Sequence, residues 1–78
     1  MRLTPVDIIF YSGSRADERP AAFVLDGERV EVERLIGERL IEGPDRSRAR
    51  EFTLRAVGGR VFRLIYKDGE GYLVQEDF

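Results

Sequence analysis

The chain lacks the side chains on which most catalytic and metal sites depend. None of its 78 residues is Cys or His. Without Cys there are no disulfides and no thiolate metal sites, and without His the commonest general base and transition-metal ligand is missing. No apolar run reaches the ~18 residues of a membrane helix, and the first residues do not form the apolar segment of a signal peptide. We therefore expect a cytoplasmic protein without membrane contact and without a cofactor.

Other residue types are scarce in a way that bears on the source. Asn and Trp are absent, Gln occurs once, and twelve Arg stand against a single Lys. Depletion of thermolabile residues is typical of a heat-adapted, thermophile protein, and the Arg bias fits a GC-rich bacterial genome equally well. With 42% hydrophobic and 36% charged residues, the composition is that of a folded chain. We expect one small domain that spans residues 1–78.

The strongest local pattern is an Asp-Gly pair between two alternating runs. Both central residues of a type I′ turn need positive φ, so Asp26-Gly27 predicts a two-residue hairpin. This register pairs Phe23 with Val30 and places both on one buried face. The earlier segment Val6–Tyr11 is apolar on both faces, so it is either a central strand or is covered by another subunit.

Residues 33–43 leave two structures open. They form a near-duplicate, ERLIG followed by ERLIE. The apolar spacing fits a helix, but Gly37 in its middle would cost about 1 kcal/mol. Paired apolar residues separated by a glycine also fit a strand with a bulge, which we favour. Residues 46–50 are expected to be an exposed loop.

Two further hairpins complete the chain. Around Gly58-Gly59 the apolar faces align only across a loop with an odd number of residues, which predicts that Ala56 pairs with Phe62 and Leu54 with Leu64. Residues 68–71 are the expected last turn, and 72–75 the last strand. The resulting fold class is all-β, with a small antiparallel sheet of five or six strands and little or no helix. An SH3-like or OB-like barrel is favoured over a strongly curled sheet.

Each catalytic or cofactor-binding motif that the sequence suggests lacks a residue or a structural context that it requires. The serines and threonines have no His to activate them, and Lys67 has no serine near it in sequence. Asp68-Gly69-Glu70 resembles the start of a calcium loop, but the acid expected at its twelfth position lies beyond the chain. Gly69-Glu70-Gly71 resembles a dinucleotide fingerprint, yet it joins two predicted strands. We therefore expect no enzymatic activity.

Charge is distributed unevenly along the chain. Residues 1–45 carry a balance of −4, residues 46–67 one of +6, and residues 68–78 one of −4. A cationic β-surface with nearby aromatic rings is typical of single-stranded nucleic-acid binders. The alternatives are a surface that is solvated or whose arginines pair with Glu31, Glu33 and Glu38, or an acidic protein partner. The candidate surface comprises Arg46, Arg48, Arg50, Arg55, Arg63, Lys67, Tyr11 and Tyr72.

Core and turn positions recur in a characteristic order between Arg19 and Val74. They are Arg19-Pro20, Gly27, Val32, Leu35, Ile36, Gly43, Asp45, Phe52, Leu54, Gly59, Phe62, Leu64 and Tyr72-Leu73. This pattern resembles a family of short bacterial domains of unknown function, although the tryptophans that its members often carry are missing here. Some members are encoded near translesion-type DNA polymerases, so the resemblance implies a repair-associated accessory role. It transfers no catalytic or binding residue.

Two functions from different classes remain. The first is a non-enzymatic binding or accessory module, with nucleic acid or an acidic protein as its partner. The alternative is a self-associating structural protein, a homodimer formed through the N-terminal strand, because dimerisation commonly stabilises a domain of this size.

Overall fold

Alternating apolar residues produce six β-strands. The computed structural model of the protein describes residues 3–11, 19–45 and 47–76, and their side chains as far as residue 74. The strands are β1 (Thr4–Phe10), β2 (Pro20–Leu25), β3 (Glu28–Glu42), β4 (Arg48–Ala56), β5 (Val61–Lys67) and β6 (Glu70–Glu76).

The six strands close into a barrel. Each strand pairs antiparallel with the next in the chain, and β6 returns to pair with β1. Strand order therefore follows sequence order, as in up-and-down barrels. The expected small antiparallel barrel is confirmed, and the described residues contain no helix that is long and apolar enough to cross a membrane.

Strand β1 has a neighbour on each side. It pairs with β2 through Asp7–Phe10 and with β6 through Thr4–Val6. Of the two expectations for this apolar segment, the structure shows the central strand. Ile9, on its outward face, is half-buried by the barrel itself. A homodimer through this strand stays a prediction.

The β2–β3 hairpin has the predicted turn. Asp26 and Gly27 have φ of 51° and 78°, the positive values that a type I′ turn requires. Phe23 lies opposite Val30 and is fully buried. Turn chemistry and apolar alternation therefore specify the same register, and the prediction is confirmed.

Strand β3 settles the alternatives for residues 33–43 in favour of a strand. It runs for 15 residues, and its pairing with β4 is interrupted between Val32 and Arg34 and again between Leu35 and Gly37. At each β-bulge one extra residue is inserted, and the side chains beyond it change face. The strand is bent by two bulges, and this determines which side chains reach the outer surface.

Two predictions for β4 and β5 were wrong in detail. Leu54 lies opposite Phe62 rather than Leu64, and the Ala56 N–H donates to the Arg60 carbonyl at 2.8 Å. The loop contains three residues, an odd number as expected, but it begins one position earlier in the chain than predicted. The resulting shift of two residues keeps each side chain on its predicted face, so apolar alternation alone did not separate the two registers.

The expected exposed loop at 46–50 was also wrong for its described part. Strand β4 begins at Arg48 because β3 extends far enough to pair with it: Arg48 lies opposite Glu42 and Arg50 opposite Leu40. Arg46 lies outside the described residues.

The last turn is shorter than predicted. It consists of Asp68 and Gly69, whose φ values are 53° and 78°, and β6 already begins at Glu70. Gly71, expected in the turn, is buried in β6. A Cβ atom there would lie 2.7 Å from Ile8 and 2.9 Å from the Val6 carbonyl oxygen. Glycine therefore permits the close approach of β6 to β1.

Aromatic rings fill the barrel. The rings of Phe23 and Phe62 meet edge to face with centroids 5.0 Å apart, and those of Phe10 and Tyr66 do the same at 5.0 Å. Such pairs contribute about 0.5–1.5 kcal/mol each beyond burial. Phe23, Phe52 and Phe62 are fully buried, and Tyr66 packs at the periphery of the cluster.

Candidate nucleic-acid interface

The basic residues predicted as one surface divide between the two faces of the sheet. Arg55 is exposed on the outer face of β4, and Arg63 lies half-buried on the outer face of β5, opposite Thr53. Lys67 is half-buried at the end of β5, opposite Glu70. Arg48 is exposed at the start of β4. The cations of residues 47–67 therefore do not form a single patch.

Arg50 belongs to the intramolecular network. Its Nε and Nη2 atoms contact the Glu38 Oε2 atom at 2.9 and 2.8 Å, and its guanidinium lies 4.9 Å from the centre of the Phe52 ring. A second ion pair joins Arg39 and Glu51 at 3.0 Å across the same two strands. For Arg50, the alternative of pairing with a neighbouring acid is therefore the one that the structure shows.

Arg55 has a cationic neighbour that the sequence reasoning missed. Arg34 of β3 lies directly opposite it, and both side chains are exposed. Within the described ranges, no carboxylate forms an ion pair with either residue. Like charges directly opposite one another destabilise a sheet, so this pair leaves uncompensated positive charge on the outer face.

The first bulge of β3 creates this pair. Val32 lies opposite Ala56, so without the bulge Glu33 would follow opposite Arg55 and give the ion pair that the alternative prediction expected. The inserted residue places Arg34 there instead. A one-residue slip moves a side chain to the other face of a sheet. Here it replaces the attraction expected between Glu33 and Arg55 with repulsion between Arg34 and Arg55.

An aromatic residue lies beside Arg34. Tyr11, Arg19, Glu33, Arg34 and hydrophobic residues of β3 line a groove of about 360 Å³. The Tyr11 side chain is 55% exposed, and its backbone N–H donates to the Arg19 carbonyl at 3.0 Å, which holds the two residues together. We call this surface, formed by Tyr11, Arg19, Arg34 and Arg55, the basic edge.

Tyr72 does not belong to the basic edge. Its hydroxyl donates to Glu70 at 2.7 Å, and the accepting carboxylate raises the pKa of Tyr72 above its ordinary value. It lines a separate groove of about 330 Å³ between β1 and the β5–β6 hairpin, together with Asp7 and Tyr66. We call this second surface the seam groove. The two tyrosines that the prediction grouped therefore lie in sites of opposite charge.

The donor set for a metal is small. Among the residues that the structure describes, no three His, Cys, Asp or Glu side chains are placed to hold a metal ion.

Comparison of the chain with protein-family models, curated proteins and solved structures finds no match. The class defined by the geometry is thus a small up-and-down β-barrel with a basic edge and an acidic groove.

Proposed function

We propose that the protein is a non-enzymatic binding module for single-stranded nucleic acid, and that the basic edge holds the strand. The observation that carries the proposal is the pair of exposed arginines, Arg34 and Arg55, with the exposed ring of Tyr11 in the groove beside Arg34. Guanidinium groups bind phosphates, and an aromatic face stacks on a base of any identity. The protein binds the strand without reading its sequence, because phosphate contacts carry no base information.

The acidic balance of the whole chain is compatible with this site because the charges are segregated. Three cations of the basic edge converge on β3 and its neighbours, whereas Asp7 and Glu70 line the seam groove. Glu33 also lines the groove beside Arg34, and it lowers affinity by repelling phosphate. The field of exposed charges is screened beyond about 10 Å at 0.1 M salt, and the seam groove shares no lining residue with the groove beside Arg34.

A repair-associated accessory role, which the family resemblance implies, accords with such a module. Repair polymerases work where a template strand is exposed, and a small barrel that binds single strands would act there without chemistry of its own. A homodimer would double the number of basic edges and raise avidity for a long strand.

The test is the binding of a fluorescent oligothymidylate of about 15 nucleotides, a length within the range that small barrels cover. Fluorescence anisotropy at ~50 mM salt should detect binding, and log K should fall with log salt with a slope of about −2 if three phosphates are contacted. The double variant R34Q/R55Q should reduce this slope to about −0.7, since about 0.7 is lost for each phosphate contact on a single strand.

Matched variants locate the site. R29Q/R48Q removes the same charge from exposed arginines outside the basic edge and should leave most of the affinity. Tyr11→Ala should weaken binding about fivefold or more by removing a stacked base, whereas Tyr11→Phe should not. Equal losses in the two double variants would refute the assignment to the basic edge. Tight binding of polyglutamate that does not depend on Tyr11 would instead assign the arginines to an acidic protein.

A further inference from the structure

The seam groove arises because β1 extends beyond the start of its partner strand, β6. At Gly71 the two strands are in close contact, because a Cβ atom there would lie 2.7 Å from the Ile8 side chain. Strand β1 pairs with β6 through Thr4, Pro5 and Val6, and residues 8–10 of β1 continue past Glu70, where β6 begins. The result is a groove of about 330 Å³ that leads towards the barrel interior, a volume at the lower end of the range for small-ligand sites.

The floor and the rim of this groove have different chemistry. Ile8, Phe10 and Tyr66 form an apolar and aromatic floor, because their side chains pack against the barrel core. Asp7 and Glu70 lie at the rim, where Pro5 and Tyr72 face outward with them.

Tyr72 fixes the position of one carboxylate at the rim, that of Glu70. Its hydroxyl donates to the Glu70 carboxylate at 2.7 Å, so one carboxylate is held beside an aromatic ring. A tyrosine hydroxyl is already protonated over the physiological range, and the Glu70 carboxylate raises the pKa of Tyr72 further in that direction. A fixed carboxylate and aromatic rings that line the same groove attract a cation by charge and by the ring quadrupole together.

None of the described residues that line the groove is basic. Lys67 lies opposite Glu70 in the β5–β6 register but outside this lining. The barrel itself shows how it accommodates arginine: the guanidinium of Arg60 lies 5.0 Å from the centre of the Phe62 ring, and Arg50 caps Phe52 in the same way. The seam groove offers the same kind of ring with two carboxylates beside it.

We propose that the seam groove binds an arginine side chain presented by a partner polypeptide. The planar guanidinium stacks on the aromatic floor and donates hydrogen bonds to the carboxylates of Asp7 and Glu70 at the rim. An anionic ligand is excluded by the same two carboxylates. This site lies apart from the basic edge and does not depend on nucleic-acid binding.

The probe is the peptide acetyl-Gly-Arg-Gly-amide, with the citrulline peptide as its neutral counterpart of equal shape. Binding to the full chain is followed through the amide NMR signals of Gly69 and Gly71, which lie in the groove. We expect a dissociation constant on the order of 1 mM, because exposed cation–π contacts and ion pairs are each weak. The citrulline peptide should bind at least fivefold more weakly.

Charge variants test the assigned carboxylates. D7N/E70Q should weaken arginine-peptide binding at least fivefold, and Gln at position 70 still accepts the Tyr72 hydrogen bond. The control E28Q/E42Q neutralises two exposed acids that do not line the groove and should change little. The variant R34Q/R55Q should bind the arginine peptide normally, so failure of this proposal and failure of the nucleic-acid proposal are told apart.

Three results would overturn the proposal. Equal affinity for the arginine and citrulline peptides would show that the groove does not select a cation. Shifts confined to residues away from Gly69 and Gly71 would place the site elsewhere. Self-association of the chain that D7N/E70Q abolishes would assign the groove to an arginine of a second copy rather than to a different polypeptide.

Discussion

Replacing Gly71 with alanine tests the closure of the barrel. The added Cβ atom would lie 2.7 Å from the Ile8 Cγ1 and Cδ1 atoms and 2.9 Å from the Val6 carbonyl oxygen. The oxygen belongs to the backbone of β1, and Cγ1 is not the free end of its side chain. Strands β1 and β6 must therefore separate locally to accommodate one methyl group.

Gly37→Ala is the matched control for the size of this effect. Gly37 lies in β3 with nothing within 4 Å of a Cβ atom, and neither glycine has a positive φ. Replacing glycine by alanine in a strand removes backbone entropy from the unfolded chain and stabilises by about 0.5–1 kcal/mol. Because this gain is common to both positions, the difference between the variants measures overpacking alone, about 1–3 kcal/mol.

Urea unfolding followed by far-UV circular dichroism measures this difference, and each kcal/mol corresponds to about 4–8 °C in Tm for a domain of this size. The free energy of unfolding of Gly71→Ala should be lower than that of Gly37→Ala by the overpacking cost of about 1–3 kcal/mol. Adding Ile8→Val, which removes the Cδ1 atom, should restore at least about 0.5 kcal/mol in a double-mutant cycle. If Gly71→Ala is as stable as Gly37→Ala, β6 does not approach β1 as closely as described, and the reasoning fails.

Three further predictions concern the core, a turn and an ionisation. Leu54→Ala, at a fully buried site, should cost about 2–5 kcal/mol in urea unfolding, whereas Leu40→Ala, at a side chain 56% exposed, should change stability by about 0.5 kcal/mol or less. Gly27→Val should cost about 1 kcal/mol or more because φ there is 78°, and an unchanged midpoint would contradict the type I′ turn. Glu70→Gln should lower the pKa of Tyr72 towards its ordinary value in an ultraviolet absorbance titration. In the unaltered chain the raised pKa means that the hydrogen bond stabilises the fold below the ordinary tyrosine pKa and ceases to do so as pH rises through the raised value.

Turn chemistry and alternation made most of the barrel predictable. Asp26-Gly27 specified both a turn type and a register, because only one pairing placed Phe23 and Val30 on the same face. At Gly58-Gly59 the glycines allowed more than one loop position, and the register was wrong by two residues. Local sequence therefore determined the register where it demanded particular backbone angles at both turn positions.

The basic edge was only partly predictable because it depends on the position of a bulge. Arg55 was identified from charge and alternation, but Arg34 was not, since an uninterrupted strand would place Glu33 opposite Arg55. Nothing in the order of residues 32–37 specifies which residue is inserted, because the bulge forms where packing of β3 around the barrel requires it. The paired apolar residues on each side of Gly37 predicted that a bulge would occur in this strand, but not its position.

The grouping of Tyr11 with Tyr72 failed for a different reason. Both were assigned to the candidate surface as aromatic residues, and the sequence gives no distance between residues so far apart along the chain. Closure brings the first strand between β2 and β6, so Tyr11 follows the end of β1 towards β3, whereas Tyr72 remains at the seam. Their separation is a property of the tertiary fold.

Closing the barrel joins the two ends of the chain through three residue pairs of β1 and β6. Every other strand pairing links neighbours in sequence across a hairpin or a loop, so those pairings carry low loop-closure entropy and can form early in folding. The β1–β6 contact has the longest loop to close and few hydrogen bonds to hold it. It should therefore form last and open first, and the backbone amides of Thr4–Val6 and of their β6 partners should exchange with solvent well before those of the β4–β5 hairpin.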